Sequence, residues 1–197
     1  KIVRRIMKEE QLLVKIKKTR KYNSYQGEIS PAVDNIVNRD FSAMKPNEKW
    51  LTDITEFAIP AGKIYLSPIV DCFDGLIVTW NIGTSPDAAL VNTMLDNAIH
   101  TLKSSKKPIV HSDRGVHYRW PGWINLMECN GLIRSMSMKG CSPDNSACEG
   151  FFGRLKNEMY YGYEKNYSSF EEFSQAVEDY IEYYNNKRIQ AKTKWMP

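Results

Sequence analysis

The order of the apolar segments after Lys49 restricts most strongly how this chain can fold. Three runs typical of strands follow one another in "KWLTDITEFAI", "KIYLSPIVDCF" and "LIVTWNIG", and Asp74-Gly75 is a pair that favours a hairpin turn. Helical and strand-like segments then alternate, from "AALVNTMLDNAIHTLK" through "PIVHSD", "WPGWINLMECNG" and "LIRSMS" to two last helices. This order predicts an α/β domain with a mixed five-stranded sheet and helices on both faces.

The predicted helices begin at residues that favour helix starts. Ser85 is the expected N-cap of the first long helix, with Pro86 at its first position. The helix that carries Glu149 is expected to start near Ser142-Pro143, and the last helix near Ser168. The tyrosines of this last helix recur at near-helical spacing, which favours packing against the sheet.

Positive charge is concentrated at the start of the chain. Residues 1–25 hold nine Lys or Arg against Glu9 and Glu10, a net charge of +7, whereas the whole chain has +4 and the rest therefore −3. A basic arm of this kind favours a polyanionic partner, although a solvated helix and linker explain it equally well. Residues 26–46 collect Gly, Ser, Pro and Asn, which predicts a linker before a main domain over 47–197. Because Lys1 lies inside a helical pattern, we expect a fragment of a longer protein.

The cysteines and the hydropathy exclude some classes of protein. The four cysteines have neither CxxC spacing nor zinc-finger spacing with the histidines, so we expect reduced thiols in a cytoplasmic protein. A membrane span needs about 18 consecutive apolar residues, and the chain has no such run.

Three acidic residues stand out by their positions. Asp53 falls in the strand-like "LTDIT", Asp113 ends "PIVHSD", and Glu149 lies on a helix at the border of its apolar face. Each has an ordinary explanation: an edge-strand acid, a turn or helix-capping acid, and a surface glutamate. If the three converged, their carboxylates would form an oxygen site for Mg²⁺ or Mn²⁺, and two such ions support in-line phosphoryl displacement.

Other polar residues near these acids are further or competing candidates for the same site. Lys156 follows Glu149 by seven residues on the same side of the helix, too far for a direct pair. Asp71 and Asp74 are expected to serve a strand end and a turn. We expect His111 to have a structural role at its strand end.

The sequences around the acids resemble those of DDE transposases and retroviral integrases. The resemblance rests on "WLTDIT", "VHSDRGVHY" and "GCSPDNSACEGFFGRLKNE", with 35 residues between Asp113 and Glu149. The neighbouring residues are similar to the second open-reading-frame product of bacterial insertion sequences of family three. That family shares Asp144-Asn145, the Leu-Lys-x-Glu run from Leu155 to Glu158, and a closing Tyr-Asn-x-x-Arg segment in "YYNNKRIQ".

The resemblance implies a ribonuclease H-like catalytic core that cuts element ends and joins the freed 3′-hydroxyl to DNA. Asp53, Asp113 and Glu149 would be catalytic and would hold two Mg²⁺ or Mn²⁺ ions in the DNA-bound state. Lys156 would contact DNA near the reacting phosphate, and residues 1–25 would be the end of a helix-turn-helix region. Further DNA contacts are expected from Asn145, Arg154, Arg4 and Arg5. The family also implies a homo-oligomer on DNA, located on the nucleoid in the bacterial cytoplasm, without membrane association.

Two other functions are compatible with the same sequence features. One is a ribonuclease H or junction-resolving nuclease, which the 35-residue interval argues against. The other is a DNA-binding remnant of a mobile element without chemistry, which the presence of all three acids argues against.

Overall fold

The structure is a computed structural model that describes residues 2–10, 12, 33–103, 105–138 and 146–190. Its main elements, in chain order, are helix α1 (Ile2–Glu9), strands β1 (Lys49–Thr52), β2 (Thr55–Ile59), β3 (Gly62–Asp71) and β4 (Ile77–Gly83), helix α2 (Ala88–Thr101), strand β5 (Ile109–Ser112), helix α3 (Pro121–Cys129), strand β6 (Ile133–Met136), and helices α4 (Ser146–Leu155) and α5 (Phe170–Asn186).

The strands form one mixed sheet in the order β2-β3-β1-β5-β6, with β4 also paired to β3. Strand β3 is antiparallel to β1, β2 and β4, whereas β5 is parallel to both β1 and β6. Strands β1 and β2 lie along β3 in a single register, so they are two parts of one interrupted strand. Counted in this way the sheet has five strand positions, and the predicted fold class is confirmed.

The interruption between β1 and β2 falls at Asp53 and Ile54. The prediction of an unbroken strand through Asp53 was therefore wrong. Extending the shared register places Asp53 opposite Pro68, which has no backbone N–H to donate to a neighbouring strand. The break leaves Asp53 just beyond the end of β1, and it is half-buried there.

Both faces of the sheet are covered. Trp50 and Leu51 are neighbours in β1 and both are fully buried, but they belong to different hydrophobic clusters because successive side chains in a strand point to opposite faces. Helices α2 and α3 cover the face of Trp50, and α4 and α5 cover the face of Leu51. The predicted helices on both faces are confirmed.

The structure refines where the helices begin. Helix α2 has Asp87 as its N-cap, and its carboxylate accepts a hydrogen bond from the Leu90 N–H over 3.0 Å, so the predicted N-cap at Ser85 was wrong. Helix α5 has Ser169 as its N-cap, one residue beyond the expected start. The expected start of α4 near Ser142 lies outside the described residues.

Part of the segment predicted as a linker packs on the sheet. The Ile36 and Val37 N–H groups donate to Ser135 Oγ over 2.9 and 3.3 Å, and Met136 N–H donates to the Asp34 carbonyl. The Val37 side chain is 2% exposed. Residues 33–37 thus cover the edge of β6, and the boundary between linker and domain stays a prediction.

The start of the chain forms the predicted helix, α1, whose apolar side chains are exposed, among them Ile2, Val3 and Ile6. Residues 13–32, which hold the rest of the basic arm, lie outside the described residues. None of the helices that the structure describes is long and apolar enough to span a bilayer.

Candidate active site

Asp53 and Asp113 lie at the ends of two adjacent parallel strands. Thr52 and Ser112, the last residues of β1 and β5, are register partners. The next residue of each strand is one of the two aspartates, and neighbouring strands are about 4.8 Å apart. The structure therefore brings the two acids side by side at the carboxyl edge of the sheet, where α/β proteins commonly bind ligands.

Backbone hydrogen bonds hold each aspartate. Asp53 Oδ1 accepts from the Ile54 N–H over 2.8 Å, and Asp113 Oδ1 accepts from the Gly115 N–H over 2.9 Å. The turn after Asp113 is tight, because His117 Nε2 would lie only 2.6 Å from a Cβ on Gly115. The His117 Nε2 atom is buried and has no hydrogen-bond partner in the part of the chain that the structure describes. Burial lowers the pKa of His117, while the nearby Asp113 charge opposes that shift.

Tyr118 lies in the core beneath the strand end that precedes Asp53. It is fully buried, its hydroxyl lies 3.4 Å from Thr52 Oγ1, and its ring packs edge-on against Trp123. Burial raises the pKa of Tyr118 well above its ordinary value, and the negative charges of Asp53 and Asp113 raise it further. The phenol therefore stays neutral beside the two acids.

Glu149 reaches the same region from helix α4, which packs against β1. Its side chain is exposed, whereas the preceding Cys148 is fully buried. Burial raises the pKa of the Cys148 thiol, and the charges of Asp53, Asp113 and Glu149 add to this effect. All three predicted acids thus lie within electrostatic range of the Cys148 thiol, and Glu149 is its neighbour in the chain.

The described residues do not form a complete metal site. Among the described residues, no group of three or more His, Cys, Asp or Glu side chains is close enough to hold a metal ion. The chemistry of the three acids nevertheless fits a divalent cation: all of the donors are carboxylate oxygens, which Mg²⁺ and Mn²⁺ prefer. Their combined field also raises the pKa of Cys148, and a cation would offset this negative charge.

Lys156 packs against strand β2, within electrostatic range of Asp53. Its Nζ is 5.0 Å from the centre of the Phe57 ring on β2. Burial lowers the pKa of Lys156, and the charges of Glu56 and Asp53 oppose this change. The seven-residue interval from Glu149 thus leads to a half-buried cation near one of the acids.

The remaining predicted DNA contacts are spread over the molecule. Arg154 is exposed on α4 and interacts with the Tyr184 hydroxyl on α5. Arg5 pairs with Glu9 along α1 at 3.6 Å. The side chain of Arg4 and all of Asn145 lie outside the described part of the chain.

Two family motifs join in space, which the sequence reasoning missed. Glu158 of the Leu-Lys-x-Glu run accepts from Arg188 Nη2 over 2.7 Å, and Arg188 ends the Tyr-Asn-x-x-Arg segment. Asn185 of that segment accepts from the Ile77 N–H and donates to its carbonyl, which ties α5 to strand β4. Opposite charges 30 positions apart give a weak pairing signal in a single sequence, and only the shared motif context pointed to them.

The competing polar residues have structural roles, as predicted. Asp71 is buried and accepts from the N–H groups of Asn47 and Phe73. Asp74 accepts from the Leu76 N–H in the hairpin turn. His111 is fully buried, and its ring contacts the hydroxyls of Ser135 and Ser137.

Comparison with protein families identifies the domain. The Integrase core domain family matches residues 43–142, and a second Integrase core domain family matches residues 149–195. Asp53 and Asp113 fall within the first match, and Glu149 begins the second.

Similar proteins of bacteria are named as transposases. The chain is 48% identical over 177 residues to an "Uncharacterized transposase-like protein" of Haemophilus influenzae, covering 90% of this chain and 81% of that protein. It is 58% identical to the "Probable transposase for insertion sequence element IS1353" of Shigella flexneri, covering 96% of this chain but only 37% of that relative. With transposase InsF for insertion sequence IS3A of Escherichia coli it shares 33% identity over 86% of this chain and 59% of InsF.

Solved structures of viral integrases share the fold. The HTLV-2 integrase catalytic core domain in complex with magnesium has a TM-score of 0.60 at 17% identity, over 76% of this chain and 93% of that one. The simian T-cell lymphotropic virus intasome has a TM-score of 0.64, also at 17% identity, over 87% of this chain and 56% of that one. The ribonuclease H-like fold and the family resemblance are confirmed, and the chain belongs to the integrase core domain family, among the DDE transposases of the retroviral integrase superfamily.

Proposed function

We propose that this chain is the catalytic core of a transposase that cuts DNA at the ends of its element and joins the freed 3′-hydroxyl to DNA. The observation that supports this most directly is the placement of Asp53 and Asp113 at adjacent parallel strand ends, with the helix that carries Glu149 packed against β1. Membership of the integrase core domain family supports the same reaction class.

Asp53, Asp113 and Glu149 would hold Mg²⁺ or Mn²⁺, with two ions in the DNA-bound state. When bound, such ions would activate the attacking oxygen and stabilise the leaving oxygen of an in-line displacement. Among the described residues, no three acids are close enough together to hold one ion. We therefore infer that Asp53, Asp113 and Glu149 move closer to one another when DNA supplies phosphate oxygens as further ligands.

The protein's own groups would prepare two displacements at phosphorus. In the first, water attacks a phosphodiester at the element end and a P–O bond breaks, which releases the 3′-hydroxyl. In the second, this hydroxyl attacks a target phosphodiester, so that one P–O bond forms as another breaks. The Gly115 N–H holds the Asp113 carboxylate in one orientation during both, and the Lys156 ammonium would bind a phosphate beside Asp53.

The proposed partners follow from this chemistry. The substrate is duplex DNA at the element ends and at the target, with Lys156, Asn145, Arg154 and the basic arm containing Arg4 and Arg5 as contacts. Because the reaction pairs two ends, the working form would be a homo-oligomer assembled on DNA. Its place would be the nucleoid in the bacterial cytoplasm.

The test is a joining assay with a labelled duplex that carries the terminal repeat of the element, plus Mg²⁺ or Mn²⁺. Asp113→Asn and Glu149→Gln should each lower the yield of joined product at least about a hundredfold. Asp179→Asn makes the same chemical change on the exposed side of α5 and should retain full activity. Metal-dependent joining lost in both active-site variants but kept in the control would support the proposal.

Two other results would overturn it in favour of the alternatives. Cleavage of RNA–DNA hybrids or junctions without joining would indicate a nuclease on the same fold. DNA binding without cleavage, unchanged by Glu149→Gln, would indicate a DNA-binding element remnant.

A further inference from the structure

Lys156 starts an unusual turn of the polypeptide. Residues Lys156–Tyr160 continue α4 as a π-helix, and the Tyr161 N–H donates to the Lys156 carbonyl over 2.7 Å. A π-turn inserts an extra residue into a helix and therefore changes the direction in which the following side chains project. Such turns are rare, so tertiary contacts are needed to hold one in place.

The first of these contacts joins the turn to β2. The Tyr160 hydroxyl accepts from the Ala58 N–H over 2.9 Å and donates to the Ala58 carbonyl over 2.8 Å. The Tyr160 ring also packs edge-on against Phe57, with 5.1 Å between ring centres. The turn is thereby held against the strand whose Phe57 ring lies under the Lys156 ammonium.

The second contact joins the turn to the end of α5. Glu158 accepts from Arg188 through Nη2 at 2.7 Å and Nε at 3.1 Å, and from the Tyr180 hydroxyl at 2.9 Å. Although burial acts to raise it, these hydrogen bonds hold the pKa of Glu158 below its usual value. The hydrogen bond to Glu158 also raises the pKa of Arg188. The pair is therefore ionised at neutral pH and forms a forked, charge-assisted contact.

We propose that this Glu158–Arg188 clasp is a positioning device that directs the Lys156 ammonium to a DNA phosphate beside Asp53. The inference rests on the proposed function and deepens it by naming residues that act on DNA through Lys156. Glu158 follows Lys156 by two residues, so movement of Glu158 is transmitted directly to the turn. Arg188 Nη2 donates to Glu158 over 2.7 Å, and the guanidinium carbon of Arg188 lies 5.9 Å from the centre of the Tyr184 ring. Because these two contacts engage its guanidinium, the role of Arg188 is to hold the turn.

The experiment measures how the DNA affinity of the full 197-residue chain depends on salt, with a labelled random-sequence duplex in EDTA. One phosphate contact contributes about 0.9 to the slope of log K against log salt, or about a three- to fourfold change in K between 50 and 200 mM. Lys156→Ala should remove this contribution. Glu158→Gln should lower the slope in the same direction, because the neutral amide loosens the clasp.

The sign of the Glu158→Gln effect distinguishes positioning from simple charge. Removal of a negative charge would by itself strengthen DNA binding, whereas a loosened Lys156 weakens it. Glu178→Gln, the matched change at an exposed site of α5, removes a negative charge without touching Lys156, so it should not weaken DNA binding. Thermal melting of each variant checks that the domain is folded at the assay temperature.

Combination with Lys156→Ala tests whether Arg188 acts through Lys156. Arg188→Gln should lower the slope by about 0.9 in the wild-type background and leave it unchanged in the Lys156→Ala background. Losses that add in the double variant would show that Arg188 binds its own phosphate and would overturn the proposal. Tighter binding by Glu158→Gln would also overturn it, as would an unchanged slope in Lys156→Ala. Metal-dependent joining could still occur in each of these cases, so the reaction itself is judged separately.

Discussion

The Gly115 N–H donates a hydrogen bond to Asp113 Oδ1 at 2.9 Å, and a Cβ on Gly115 would lie at the same 2.9 Å from that oxygen and 2.6 Å from His117 Nε2. Heavy atoms that are not bonded to each other do not approach this closely without a shift of one of them. Any side chain at position 115 would therefore force the Asp113 carboxylate or the His117 imidazole to move.

Gly115→Ala should therefore displace Asp113 or His117 and lower metal-dependent joining by at least about tenfold, since misplacing a reacting group by 1 Å can cost a hundredfold. The joining assay measures this loss, and circular dichroism should show an unchanged content of helix and strand. Gly153→Ala is the matched control, because none of the atoms that the structure describes lies within 4 Å of its Cβ outside the local helix. It should keep full activity and stabilise α4 by up to about 1 kcal/mol. Full activity of Gly115→Ala would contradict the tight packing.

Removal of divalent metal should separate binding from chemistry. With EDTA, joining should stop, whereas affinity for duplex DNA should stay within about tenfold, because the cationic contacts carry binding. Fluorescence anisotropy measures the affinity on the same duplex that the joining assay uses. Asp113→Asn should bind DNA at least as tightly as the wild type in EDTA, since it loses a negative charge at the acidic edge. A collapse of affinity in EDTA would show instead that the metal-bound acids carry most of the binding.

Tyr118→Phe tests the buried phenol between β1 and the turn after Asp113. The hydroxyl makes a long contact of 3.4 Å to Thr52 Oγ1, so its removal should lower the free energy of unfolding by only about 0.5–1.5 kcal/mol. Tyr118→Ala removes a fully buried ring that packs on Trp123 and should cost about 3–5 kcal/mol. Urea denaturation measures both values. Equal losses in the two variants would mean that the hydroxyl, not the ring, carries the stability.

The acids at the edge of the sheet were predictable because the sequence motifs and the strand order agree. Asp113 follows a short apolar strand, and its partner strand was recognised from its own apolar run. What the sequence could not reveal was the break at Asp53, because the residue opposite it, Pro68, becomes its neighbour only when β3 folds back. The N-cap shift from Ser85 to Asp87 has a similar cause, since both residues can cap and only the observed hydrogen bond to Leu90 N–H decides between them.

The contacts that position Lys156 could not be predicted from the sequence for a related reason. Helical spacing placed Lys156 near Glu149, but the π-turn that begins at Lys156 depends on contacts to Ala58 and Arg188, which are distant in sequence. The helix propensity of a segment depends on its own residues and does not reflect contacts with distant ones. The motif residues Glu158 and Arg188 were visible as family features, while their pairing required the fold.

The Glu158–Arg188 clasp should also make the free energy of unfolding depend on pH. Hydrogen bonds from Arg188 and Tyr180 hold the pKa of Glu158 below its unfolded value despite burial, so the stability that it contributes is present above about pH 4.3. This contribution should be lost as pH falls from there through the lower pKa of the folded state. The unfolding free energy of the wild type should therefore exceed that of Glu158→Gln at pH 7, and the gap should narrow progressively below about pH 4.3. Urea denaturation across this range measures the gap, and Glu178→Gln, the same substitution at an exposed site, serves as the control. A gap that stays constant down to the lowest pH would show that the Glu158 charge does not stabilise the fold.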